Sequence, residues 1–88
     1  MLSLRLVLFG KVQKVGLRNS FYALVENKNI KGYVKNLSDG SVEITIQNTN
    51  QPAEYFIELI KNFNSKVHIE RWTANYLELP EYKNFSIY

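Results

Sequence analysis

The apolar residues of this chain repeat with two different periods, and the order in which those periods alternate leaves few folds open. Leu2, Leu4, Leu6 and Leu8 recur every second residue, with Arg5, Val7 and Phe9 between them, which predicts a strand with one fully apolar face. From Leu17 the spacing turns helical. Leu17, Phe21, Leu24 and Lys28, with Val25 beside them, follow one side of a helix up to the Asn27 to Asn29 region, where asparagines and then Gly32 supply stop signals. Two short strands follow, "IKGYVKN" and "SVEITIQN", the second alternating Val42, Ile44 and Ile46 with Glu43, Thr45 and Gln47. Between them Asp39-Gly40 marks a hairpin, because glycine accepts positive φ without steric cost.

The second half repeats the scheme. In "NQPAEYFIELIKNF", Pro52 suits the first position of a helix, Glu54 complements the positive end of its dipole, and Ala53, Phe56, Ile60 and Phe63 form an apolar stripe expected in the core. "KVHIERWTANYLEL" reads as a long strand, Pro80 interrupts it, and "YKNFSIY" supplies a final edge strand. The order is β-α-β-β-α-β plus a short C-terminal strand. This is an α+β class chain with the ferredoxin-like split βαβ arrangement, an antiparallel sheet carrying two helices on one face.

With 88 residues, 45% of them hydrophobic, the chain closes one modest core, so residues 1–88 are expected to form a single domain. Cysteine is absent, which removes disulfides, thiolate metal sites and thiol nucleophiles. The apolar start contains Arg5 and is too short for a membrane span. A cytoplasmic monomer with no membrane association is the expectation. His68 is the only histidine and lies in a strand-like segment without metal-ligating partners, so no metal site is expected. Ser20, Ser38 and Ser41 lack the setting of a nucleophile elbow.

Charge is unevenly spread. Up to Lys35 seven basic residues face Glu26 alone, whereas four basic and seven acidic residues follow from Asn36 onward. The basic half contains "GKVQKVGLRN", residues 10 to 19, a glycine-containing turn between the first strand and the first helix. Such a turn can aim several backbone N–H groups at one point, where the helix N-terminus adds partial positive charge, and this favours phosphate. Arg18 in the first turn offers a planar fork of donors matched to two phosphate oxygens. Taken alone, the same residues also suit a tight turn with a solvated arginine.

Gly10-Lys11-Val12-Gln13, followed by Val15 and Arg18, resembles the acylphosphatase signature G-x-V-Q-G-V-x-F-R. "GYVKNLSDGSVEI" resembles the second signature of that family, G-W-V-x-N-x-x-D-G-x-V-E, and "EYKNFSIY" resembles its C-terminal strand. The resemblance spans nearly the whole chain in the right order. It implies hydrolysis of the carboxyl–phosphate anhydride of a small acyl phosphate, without metal or cofactor. It also implies that Arg18 and the amides from Lys11 to Leu17 (Lys11, Val12, Gln13, Lys14, Val15, Gly16, Leu17) hold the phosphoryl group while Asn36 orients the attacking water.

Three positions depart from the pattern. Lys14 stands at the second glycine of the signature, where a positive φ would strain a lysine and tilt an amide, or else bring its ammonium to the phosphate. Leu17 replaces phenylalanine and Tyr33 replaces tryptophan, both tolerable in a core. Two other readings stay open at this level. One is a domain that binds inorganic phosphate but has lost the chemistry through Lys14. The other is a nucleic-acid-binding module with Phe9, Tyr22, Tyr33 and Trp72 as stacking platforms, although no RNP-like run is present. Asn36 likewise has a plain reading as a hairpin residue that satisfies its own turn.

Overall fold

A computed structural model describes residues 1–88. The elements are β1 (Leu2–Lys11), α1 (Leu17–Val25), β2 (Lys31–Asn36), β3 (Val42–Gln47), α2 (Ala53–Phe63), β4 (His68–Glu78) and β5 (Phe85–Ile87). They form one five-stranded sheet in the order β4-β1-β3-β2-β5. The four long strands are antiparallel, as the order of periods predicts, whereas β5 runs parallel to β2. The reason lies in where β4 finishes. Its last residue pairs with Leu2, at the end of the sheet where β2 begins, so a strand leaving from there alongside β2 has to share its direction. Gln47 guides that crossing: its Nε2 donates to Pro80 O at 2.9 Å and its Oε1 accepts from Tyr82 N at 2.9 Å.

Both helices lie on the sheet face that carries Leu4, Leu6, Leu8, Val34, Val42, Ile44 and Ile46. Phe21 joins the layers, with ring centroids 6.1 Å from Phe56 of α2 and 5.5 Å from Phe85 of β5. Two apolar positions expected in the core lie outside it. Leu2 is 61% exposed because it opens β1 beyond the helices, and Phe63 is 56% exposed because it ends α2, whose stripe turns onto Ile57 instead. Pro52 sits one position earlier than expected, as the N-cap of α2, its carbonyl accepting from Tyr55 N.

The opposite sheet face carries a polar group around Glu43. Tyr33 Oη donates to the Glu43 carboxylate, and Arg5 Nε lies 3.3 Å from the same group. Burial raises the Tyr33 hydroxyl above its ordinary pKa of 10.0, and the bond to Glu43, which needs the protonated phenol, raises it further. The four aromatics considered as stacking platforms do not share a surface. Phe9 is covered by Arg71 at 3.7 Å, Tyr33 is buried, Tyr22 lies on α1, and Trp72 packs against the core on the helix side.

Candidate active site

The turn from β1 into α1 is built to leave its amides free. No main-chain N–H from Val12 to Asn19 donates to a protein acceptor, and the first helical bond is Ser20 N to Gly16 O at 3.0 Å. Two positions turn left-handed, Lys14 at φ 61° and Gly16 at φ 77°, so the chain reverses twice within a few residues. Gly16 is also the N-cap and brings no side-chain acceptor to the helix end. The first turn holds no acidic residue but does hold Arg18, a placement that an isolated helix disfavours and that a bound anion reverses.

Side chains from other elements hold this open shape. Gln13 Nε2 donates to both Leu37 O and Ser41 O at 2.9 Å, tying the turn to the β2–β3 hairpin. Asn64, just past α2, donates from Nδ2 to Val15 O and to Ser20 Oγ, each at 2.9 Å. Buried Val12 and Leu17 anchor the two ends in the core. At Gly10 the β1–β4 register shifts, and an added Cβ would lie 2.3 Å from His68 O, so only glycine lets the strands meet there.

Around the turn lies a cleft of about 160 Å³ bordered by Val12, Lys14, Gly16, Leu17, Arg18, Asn19, Asn36 and Ile87. Lys14 takes part in no ion pair. Arg18 Nη1 donates to Tyr88 O at 2.5 Å, which steadies the guanidinium at the cleft wall. Asn36 ends β2, exposed, and its side chain makes no hydrogen bond within the protein. The hairpin closes without it, through Leu37 N to Ser41 O and through Asp39, whose carboxylate accepts from Ser41 N at 2.9 Å and from its hydroxyl. Those two bonds hold the Asp39 carboxyl below its usual range.

The sequence profile of the Acylphosphatase family matches residues 4–87. The chain is 42% identical over 83 residues to an acylphosphatase of Borrelia garinii subsp. bavariensis, an alignment that covers 90% of this chain and 89% of the relative. It is 36% identical over 80 residues to one from Caldanaerobacter subterraneus subsp. tengcongensis, with the same coverage of both chains. The chain belongs to the acylphosphatase family. The crystal structure of acylphosphatase from Bacillus subtilis superposes with a TM-score of 0.86 at 29% identity, covering 100% of this chain and 99% of that one.

Against the acylphosphatase pattern, the structure brings Arg18 and Asn36 to one cleft together with Val12, Lys14, Gly16 and Leu17. Lys11, Gln13 and Val15 do not line it. Lys11 is still paired with His68 in the sheet, Gln13 turns its amide to the hairpin, and Val15 packs against the core. The unpaired amides run from Val12 to Asn19. Lys14 at the family's glycine position adopts the left-handed conformation itself, so the turn keeps its course with a lysine in it. Asn19, Ile87 and the tether Asn64 were not legible in the sequence. Asn19 had the one usable cue, its place beside Arg18 in the first helical turn.

Proposed function

We propose that the cleft binds the phosphoryl group of an acyl phosphate, with Arg18 and the amides between Val12 and Asn19 on its oxygens and Asn36 holding the attacking water. The observation that carries this reading is the run of unpaired amides that shares one cleft with Arg18 and Asn36. Acyl phosphate hydrolysis is the activity of the family, and its chemistry asks for little more. Charge spread over the three equatorial oxygens needs fixed donors, and the departing carboxylate needs no strong acid.

Asn36 offers a carbonyl oxygen that accepts a hydrogen bond from water and an amide that donates, but it is too weak a base to remove a proton. In the proposed step the water oxygen bonds to phosphorus as the bond from phosphorus to the carboxyl oxygen breaks. The water proton passes to a phosphate oxygen, and carboxylate and inorganic phosphate leave. Lys14 adds positive charge at the mouth of the cleft, and its amide stays in the run because the backbone takes φ 61°. In this reading residues 1–88 are a single domain that works as a monomer.

The test is hydrolysis of benzoyl phosphate, corrected for spontaneous breakdown, by the wild type and by Arg18→Ala and Asn36→Ala with chelator present. The expected result is turnover by wild type and a loss of about 100-fold or more in each variant, with folding retained. Wild-type turnover equal to the spontaneous rate would overturn the reading, and phosphate binding without turnover would favour the binding-only alternative.

A further inference from the structure

The cleft does not close at Ile87. The same side chain borders a second and larger hollow, about 530 Å³, that runs down the side of the molecule between α1 and β5, with Tyr22, Ile30, Lys83 and Phe85 among its walls. Tyr22 and Ile87 remain 36% and 38% exposed, so each offers apolar surface that folding has not covered. Along α1, Arg18 and Tyr22 stand four residues apart on one side of the helix, a rise of roughly 6 Å. The bond from Arg18 to Tyr88 O ties α1 to the end of β5 at the head of the hollow. A phosphoryl group held at Arg18 therefore has only a bridging oxygen, a carbonyl carbon and the first atoms of an acyl group to place before it reaches Tyr22.

We propose that this groove receives the acyl group of the substrate, with Ile87 as the sill it crosses and Tyr22 as the wall against which an aromatic acyl group packs. The proposal rests on the acyl phosphate reading above and adds a substrate preference to it. Acetyl phosphate ends at the sill and gains nothing from the groove. Benzoyl phosphate reaches Tyr22, whose ring lies 6.5 Å from that of Phe85, so an incoming ring extends an aromatic pair already in place. Tyr22 acts on substrate choice and has no part in the cradle.

The experiment compares kcat/KM for benzoyl and acetyl phosphate in wild type, Tyr22→Ala and Tyr22→Phe. The expected result is a ratio of benzoyl to acetyl that falls about fivefold in Tyr22→Ala and survives in Tyr22→Phe, with acetyl phosphate turnover unchanged in both. The same ratio in all three proteins, with both substrates hydrolysed, would overturn the groove proposal and leave the hydrolase reading intact. Should neither substrate turn over, the hydrolase reading fails and binding decides the groove. Phenacylphosphonate and acetonylphosphonate, which carry a methylene in place of the bridging oxygen, are then titrated against the three proteins. Tighter binding of phenacylphosphonate by wild type and Tyr22→Phe, lost in Tyr22→Ala, would uphold the groove. Equal binding of the two phosphonates would overturn it.

Discussion

At the residue scale, Lys14 and Arg18 show how one charge type serves two ends. Arg18 presents a planar fork, whereas Lys14 brings a point charge on a flexible stem. Arg18→Lys is expected to keep the charge and still lose most of kcat/KM for benzoyl phosphate, because one ammonium cannot span two oxygens. Lys14→Gly is expected to raise KM severalfold and leave kcat nearly unchanged. The glycine takes φ 61° without strain and preserves the amide run, while the ammonium is lost. A steady-state comparison of the two variants separates these effects. A fall in kcat for Lys14→Gly would mean that the lysine acts beyond attraction. Arg18 and Asn36 were legible because short motifs with fixed spacing surround them. Ile87 was not, since an isoleucine near the end of an edge strand looks the same in a sequence whether it faces a cleft or solvent.

At the scale of elements, the turn between β1 and α1 is held from outside. Its own residues make no hydrogen bond across it, and Gln13 and Asn64 tie it to the β2–β3 hairpin and to the end of α2. Asn64→Ala removes three hydrogen bonds of the side-chain amide, two of them to the turn and to Ser20, and is expected to cost about 1–2 kcal/mol of stability and to weaken inorganic phosphate binding as well. Chemical denaturation and a phosphate titration on the same protein check both effects. Gly10→Ala is expected to be more damaging, at roughly 2 kcal/mol or more, because the new methyl meets the His68 carbonyl in a register shift that cannot slide. The β1, β3 and α1 segments were legible through their periods. The direction of β5 was not, because pairing direction depends on where β4 releases the chain, and no local period records that.

For the whole molecule, the legible part was the order of layers, which the two apolar periods dictate. The less legible part was the open sheet face, where Tyr33 reads as an ordinary core aromatic yet donates to Glu43 beside Arg5. This arrangement makes stability sensitive to alkali. The Tyr33 hydroxyl titrates higher in the folded chain than in the unfolded one, so its contribution is complete below about pH 10 and is lost as pH rises through the folded value. Tyr33→Phe is expected to flatten the decline in thermal stability above pH 10, and an unchanged slope would assign that decline elsewhere. In the turn between β1 and α1, a shape held by tethers from other elements leaves amides free for a phosphate. The most direct test of this claim is a titration of inorganic phosphate followed residue by residue through backbone amide resonances. Saturable shifts concentrated between Val12 and Asn19 are expected in wild type, with their loss in Arg18→Ala. Shifts centred on another surface, or undiminished in Arg18→Ala, would contradict it.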